Sequence, residues 1–594
     1  MFAKLFSQLS ERAFDKIGHY NPQLLREWQG RLRWRNLLLT VVLSVFVQGL
    51  LLVQRLTQLP TKGAIDSAYC ILKASQNVDV TKGQNFYNCQ LGANDYPLIN
   101  WPFLWADVFR DLSYCLVWVA IVGGVYLLAA DLAKEARRGT LNFLRMSPQS
   151  GRQILVGKLL GVPVLMYLGI GAMLPLHLMT GLMSSYSLVR VLTFYGLLGA
   201  IALCFYTATL WFTLLTKGLR GLQAWIVSGL SFGLLLFGWN LKHEEFATDW
   251  FRLFNPLHIL ADWNVKGLDS RSIWPFDQGE SLNRFRDLRW FSVPVGEHSH
   301  WFALFALANA LVLGLWFWTV LQRKFKTPAK TALGKQQSYG LTLCLSLIMM
   351  GFNIQKIASA RKPSSLPDHD FVSYSIAMAI WGVALMFLLL PSKQVLLDWA
   401  RYRHQRPHQQ SSSAKNRRSR RSLVTELLTY DESPSPLAFA VNLGIVAVIF
   451  LLGLGIYTWI IPVDIQPSNF VTWVLVAAVL ISCSLTVQWI ALSDLTHWRW
   501  VTLGAIAAII LGWPLALIMV GIEPYQAQTN TLWLTTAFPG RVVSRASGLS
   551  ILLALATHLV IITSLSVFLT RRCQFLGQSE WKALMARGTQ ANPS

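Results

Sequence analysis

The chain has 594 residues, 53% of them hydrophobic and only 14% charged, with 52 Lys and Arg against 29 Asp and Glu for a formal net charge of +23. That balance excludes a soluble enzyme and describes a polytopic membrane protein, long enough for about a dozen spans. A strongly basic chain elsewhere suggests nucleic acid; here membrane topology and attraction to anionic lipid account for the charge, and no nucleic-acid partner is expected.

In chain order, residues 1–17 place Phe2, Leu5, Phe6, Leu9, Ala13, Phe14 and Ile17 on one helical face with Lys4, Arg12 and Lys16 elsewhere. This is the pattern of an amphipathic helix lying in the membrane interface, or of a helix packed on a partner protein. No cleavable signal peptide is expected. Pro22 can open a second helix, whose basic end at Arg31, Arg33 and Arg35 runs into a first span over residues 37–56. Further apolar runs predict spans over residues 112–132, 160–183, 191–216, 222–241, 301–322, 339–355, 373–392, 437–461, 471–493, 500–521 and 548–570.

An even number of spans puts both termini on one side. With the amino terminus inside, the cytoplasmic segments carry the whole excess of +23 and the outside segments balance, so a cell-membrane protein with cytoplasmic termini is expected. Two outside segments, residues 57–111 and 242–300, are long and rich in aromatics, and they read as folded caps. Trp250, Trp263, Trp274 and Trp290 suit belt or packing roles in the second. Cys70 and Cys89 both fall in the first, where an oxidising compartment would permit a disulfide; two free thiols fit the sequence equally. The seven cysteines have no metal-binding spacing, and no metal site is expected.

The fold class expected is therefore all-α and polytopic, with about twelve transmembrane helices in two six-helix halves and an N-terminal interfacial amphipathic helix. Residues 1–36 form the connecting segment and 37–322 the first half, with a basic loop at 133–158. Residues 323–338 link to a second, degenerate half at 339–570, whose basic loop is 393–436, and 571–594 form a tail. Within 393–436 the stretch from Arg403 to Arg421 is polar, basic and of low complexity.

The most informative stretch is residues 131–161, DLAKEARRGTLNFLRMSPQSGRQILVGKLLG. Its middle can form a short helix with Leu141, Leu144 and Arg145 three and four apart, stopped at Ser147-Pro148. Gly139 allows a tight turn into that helix and Thr140 can cap it, while Glu135, Arg137, Arg138 and Arg145 can form a polar rim. The second basic loop carries a fainter version in Arg420, Arg421, Leu423, Ser433 and Pro434.

These residues bear a resemblance to a known family. Glu135 to Leu141, then Leu144, Ser147-Pro148 and Gly157-Lys158-Leu159-Leu160-Gly161, resemble the coupling region of ATP-binding-cassette permeases of the second, export-type family. The wording there is close to E-x-x-x-G-T-L-E-x-L-L-x-S-P followed by G-K-x-x-G. Asn142 stands where that family often has an acidic residue, and the second half keeps only traces. The resemblance implies a six-span core moved through the short coupling helix by a separate cytoplasmic ATPase, which holds ATP and Mg. The chain itself then needs no cofactor.

The sequence contains no G-x-x-x-x-G-K-S/T and no H-E-x-x-H. Asp494 and His497 are two potential ligands at one span end, which do not close a site. His177 and His558 fall inside predicted spans, as functional groups or as neutral imidazoles bonding between helices. The expected function is the permease subunit of an ATP-driven exporter, alone or with a second copy or second permease. The alternative is a membrane-embedded enzyme or assembly scaffold using the outer loops.

Overall fold

The structure is a computed structural model describing residues 18–61, 69–71, 89–92, 96–216, 219, 221–240, 247–261, 263, 288–291, 293–354, 368–409, 423–460, 468–493, 495, 497–524 and 530–577. The amphipathic stretch 1–17, Trp274, Asp494, Arg420 and Arg421 lie outside the described residues, as do most of the two expected outer caps and the tail beyond residue 577. The chain divides into two compact units, one comprising Met1–His243, Asp249–Arg289 and Pro294–Lys326, the other Glu244–Thr248, Trp290–Val293 and Thr327–Ser594.

The first unit begins with α1 (Pro22–Arg31) and α2 (Trp34–Leu56). The side chain of Asn21 accepts the Leu24 N–H, and Pro22 fills the first turn, so α1 starts where its unpaired amides are met. A long helical run, Trp101–Arg138, follows. It is α3 (Trp101–Val117), a π-helical turn (Trp118–Gly123) and α4 (Gly124–Arg138). Then come α5 (Thr140–Met146), α6 (Gly151–Gly161), α7 (Val164–Met183), α8 (Leu188–Leu215), α9 (Leu222–Asn240), the short α10 (His258–Ala261) and α11 (Ser299–Lys326).

The second span is thus longer than the 112–132 expected, and the segment assigned to an outer loop is helical from residue 101. Hydropathy stops at Asp107, Arg110 and Asp111, but the fold neutralises them. Arg55, at the end of α2, sets Nε 2.6 Å and Nη2 2.9 Å from the two carboxylate oxygens of Asp111, and the Tyr69 hydroxyl donates to Asp107 at 2.9 Å. Beside Tyr69, Cys70 and Cys89 are disulfide-bonded. Trp250 and Trp263 are buried: the Trp250 indole donates to Asn309 at 3.0 Å, and the Trp263 carbonyl accepts from Tyr186 at 3.0 Å.

The second unit holds α12 (Lys335–Asn353), α13 (Asp368–Leu388), α14 (Lys393–Gln409), α15 (Leu423–Thr429), α16 (Pro436–Ile460), α17 (Ser468–Ala491) and α18 (Trp498–Ala507). A π-turn (Ala508–Gly512) leads into α19 (Trp513–Met519), and the short α20 (Asn530–Trp533) and α21 (Gly540–Val543) precede α22 (Gly548–Gly577).

Among the described residues ten helical runs are long and apolar enough to cross a membrane, or eleven if the bent pair Ser373–Leu388 and Lys393–Arg403 is one span. The count expected from sequence was about twelve. Two predicted spans account for the difference. α12 is nineteen residues long but carries Ser338, Thr342 and Ser346 on its buried side, with Thr342 donating to Asn442 at 2.7 Å and Asn442 donating to Ser338 at 2.9 Å. The span predicted at 373–392 breaks near Pro391 and turns by 71° into α14.

Candidate functional site

α4 stops at Gly139, whose φ of +75° is the left-handed conformation that glycine adopts without strain. The chain re-enters helix at once as α5. Thr140 does not cap that helix: its hydroxyl turns back to the Glu135 carbonyl at 3.3 Å, meeting an open acceptor at the end of α4. At the far end the Ser147 hydroxyl donates to the Leu144 carbonyl at 2.7 Å, and Ser147 is extended ahead of Pro148. Ser150 and Gln153 then form a capping box that starts α6.

Leu141 and Leu144, expected to form the presented apolar face, are buried at 2% and 5% exposure, whereas Phe143 and Met146 stand 72% and 79% exposed on the opposite side. Arg137 and Arg138 are also exposed, as is Pro148. Arg145 lies over the Phe325 ring at 5.4 Å, and burial pulls its guanidinium below the usual arginine range. The helix thus seats two leucines in its own protein and displays Phe143 and Met146.

Beneath it lies a charge cluster that the sequence reading did not assemble. The Lys158 ammonium, 1% exposed, sits 2.8 Å from Asp131 Oδ2, 2.8 Å from Glu135 Oε2 and 3.3 Å from Glu27 Oε1. Arg31 bonds Glu27 and lies 2.6 Å from Asp131 Oδ1, while Arg26 reaches Glu135 at 3.9 Å. Three carboxylates that could otherwise gather a metal ion are thereby matched by three cations of the chain itself. Glu27 comes from α1, Asp131 and Glu135 from α4, and Lys158 from α6, so the cluster ties three helices at the foot of α5. Glu135, expected at a docking rim, is instead a buried member of this cluster.

The glycines flanking Lys158 explain how α1 comes so near. A Cβ on Gly157 would lie 2.9 Å from the Leu24 backbone nitrogen, and one on Gly161 would lie 2.6 Å from Glu27 Cβ. The G-K-x-x-G spacing therefore puts two bare backbone patches on one face of α6, one turn apart, with α1 packed on them.

The second unit builds a related turn. α15 exposes Leu423 and Val424 and buries Glu426, which pairs with Arg403 at 3.3 Å. Ser433 Oγ lies 2.8 Å from the Glu426 carbonyl and 2.9 Å from that of Tyr430. The Lys335 ammonium donates to the Leu427 carbonyl at 2.7 Å, to Ser433 Oγ at 2.7 Å and to the Pro434 carbonyl at 2.9 Å. Burial pulls Lys335 down to about 7, against the opposing pull of Asp431.

Of the intramembrane histidines, His177 is fully satisfied as a neutral ring. The Ser113 hydroxyl donates to the Phe109 carbonyl at 2.8 Å, so it accepts from His177 Nε2 at 2.8 Å. The Tyr195 hydroxyl then donates to Nδ1 at 2.6 Å. His558 is buried at 4% exposure. His497 is the residue before α18 and is exposed, and Asp494, the second residue of the expected pair, lies outside the described residues.

Three helices of this multi-pass helical chain are thus gathered by salt bridges beneath one short helix that turns Phe143 and Met146 outward. The family model described as ABC-2 family transporter protein matches residues 24–321, half of the chain. The chain belongs to that family: it is a membrane permease of the ATP-binding-cassette type, a transport subunit. No curated protein and no solved structure matches it.

Proposed function

We propose that this permease is the membrane subunit of an exporter, moved by a separate cytoplasmic ATPase that docks on α5. The observation carrying this reading is the exposure of Phe143 and Met146 on a helix whose other face is buried. Two large apolar side chains turned outward from a helix whose other face is packed suit a partner groove, and the exposed Arg137 and Arg138 suit its polar rim. Phe143 and Met146, three residues apart, replace Leu141 and Leu144 as the docking anchors, and Arg137 and Arg138 supply the rim. ATP and Mg belong to the partner. Export rather than import is the direction that the resemblance of the loop to the export-type permeases supports.

In this reading the α5 end faces the cytoplasm of the cell membrane, and both termini lie on that side. The two compact units are the two permease halves, the second reaching six spans only with α12 and the bent α13 counted as its first two, and α15, with Leu423 and Val424 outward and the Ser433-Pro434 turn behind it, is the second docking helix. Cys70 and Cys89 then stand outside, where a disulfide persists. The test is affinity purification in mild detergent. Wild type should carry an ATPase with a phosphate-binding loop motif, and a Phe143→Asp, Met146→Asp double variant should lose it while remaining folded. Capture of that ATPase at equal yield by both proteins would refute the assignment of these anchors.

A further inference from the structure

In the second unit α12 packs on α13 and α16, and α17 packs on the same two, so the four helices close a ring. Thr342 meets Asn442 and Trp381, Asn353 meets Ser373, and Gln488 meets Ser435, so α12 and α16 run one way and α13 and α17 the other. A Cβ on Gly382 of α13 would touch Leu443 of α16 and Leu480 of α17, which sets the register inside the ring. Seven or eight residues away, about 11 Å along each helix, the same faces carry Tyr374, Phe450 and Trp473. The rings of Tyr374 and Phe450 are 5.9 Å apart, and those of Phe450 and Phe470 are 6.4 Å apart. Asn353 ends α12 at this level, its side-chain oxygen accepting from the Ser373 hydroxyl at 2.9 Å.

Near Gly382 the polar groups are matched. The Trp381 indole donates to Thr342 at 3.0 Å, and the Asn442 amide donates to Ser338 and to the Ala438 carbonyl, each at 2.9 Å. In the layer of Trp473 the same two kinds of group are not. Trp473 is wholly buried and Asn353 is 3% exposed, yet Trp473 Nε1 and Asn353 Nδ2 have no acceptor among the described residues. A buried donor without an acceptor is costly. Water is a poor answer, since it needs several polar partners and the layer is mostly aromatic. An ion is a worse one: residues 336–353, 371–388, 436–460 and 468–491 contain no Asp, Glu, Lys, Arg or His.

We infer that this layer binds a neutral, hydrophobic molecule carrying carbonyl or ether oxygens. Its oxygens accept from Trp473 Nε1 and Asn353 Nδ2, and its apolar body lies against Tyr374, Phe450 and Phe470, the usual pairing of an apolar pocket with a few placed polar groups. A resident neutral lipid and an apolar cargo share this chemistry. Only the cargo source rests on the export proposed above; the site itself does not depend on ATPase docking.

The test uses the full chain in phosphatidylcholine nanodiscs with a diazirine-bearing dioleoylglycerol as the probe, its adducts mapped by peptide mass spectrometry. Wild type should be labelled around residues 374, 450 and 473. Unlabelled dioleoylglycerol should compete, and hexadecane, which has no acceptor, should not. Trp473→Phe keeps a ring and removes the N–H, and Asn353→Leu keeps the branched shape without the amide. Each should raise the probe concentration for half-labelling about fivefold, the loss of one neutral hydrogen bond. Labelling that hexadecane competes as well as dioleoylglycerol, labelling that both variants leave unchanged, or adducts on lipid-facing residues alone would overturn the inference. Native mass spectrometry of the protein taken from its own membranes separates the two sources. A neutral molecule retained by wild type and lost from Trp473→Phe is a resident lipid, whereas a site filled only by added probe belongs to cargo.

Discussion

Replacing Lys158 by methionine keeps the length of the side chain and removes its charge, leaving Glu27, Asp131 and Glu135 facing one another with only Arg31 and Arg26 beside them. At an effective dielectric of about 20, each carboxylate about 3 Å from the ammonium contributes roughly 5 kcal/mol of attraction before desolvation is subtracted. Most of that gross attraction offsets the cost of burying four charges. What remains on removing one partner of such a cluster is a loss of about 3–5 kcal/mol, because the carboxylates stay buried without their cation. In a protein of this size that is roughly 2–4 °C of apparent melting temperature. Scanning fluorimetry in one detergent at a fixed scan rate reads it, the fixed rate being needed because unfolding of such proteins is seldom reversible. A Lys158→Met, Glu135→Gln double variant should recover part of the loss, since it removes one of the stranded charges. A Lys158→Met protein that melts with wild type would refute the claim that this cluster joins α1, α4 and α6.

Two further outcomes follow from the same packing and from its counterpart in the second unit. Gly157→Ala and Gly161→Ala should each cost about 1–3 kcal/mol by overpacking against α1, read as a lower melting temperature. Gly171→Ala on α7, where a Cβ meets nothing within 4 Å, should be neutral or stabilising. For Lys335, the folded value of about 7 lies below the ordinary 10.5, so between those limits the unfolded chain binds the extra proton and stability rises with pH. Denaturation midpoints should therefore climb between pH 7 and 10, and Lys335→Met should remove that part of the slope; an unchanged slope would show that Lys335 is not the titrating group.

The membrane class, the position of the loop and its family motif were legible because they depend on composition, period and local spacing. Gly139 and the Ser147-Pro148 stop were legible for the same reason, as each acts within a few residues of itself. Glu27 was not, because its partner Lys158 lies 131 residues away and nothing local marks a surface helix carboxylate as buried. The start of the second span was misplaced because hydropathy counts Asp107 and Asp111 as charges to be kept out, while the fold supplies Arg55 to meet them. Which face of α5 turns outward was not legible because α5 is apolar on both sides. Leu141 and Leu144 alternate with Phe143 and Met146 in seven residues, and only the packing of the platform decides which pair turns inward.

The most direct measurement of the central claim is site-specific photocrosslinking in native membranes from a photoreactive amino acid placed at positions 143, 146, 141 and 144 in turn. Probes at 143 and 146 are predicted to form an adduct with an ATPase bearing a phosphate-binding loop motif, and probes at 141 and 144 to crosslink only within the chain. An ATPase adduct from 141 and 144 but not from 143 and 146, or no ATPase adduct from any of the four, would contradict the account.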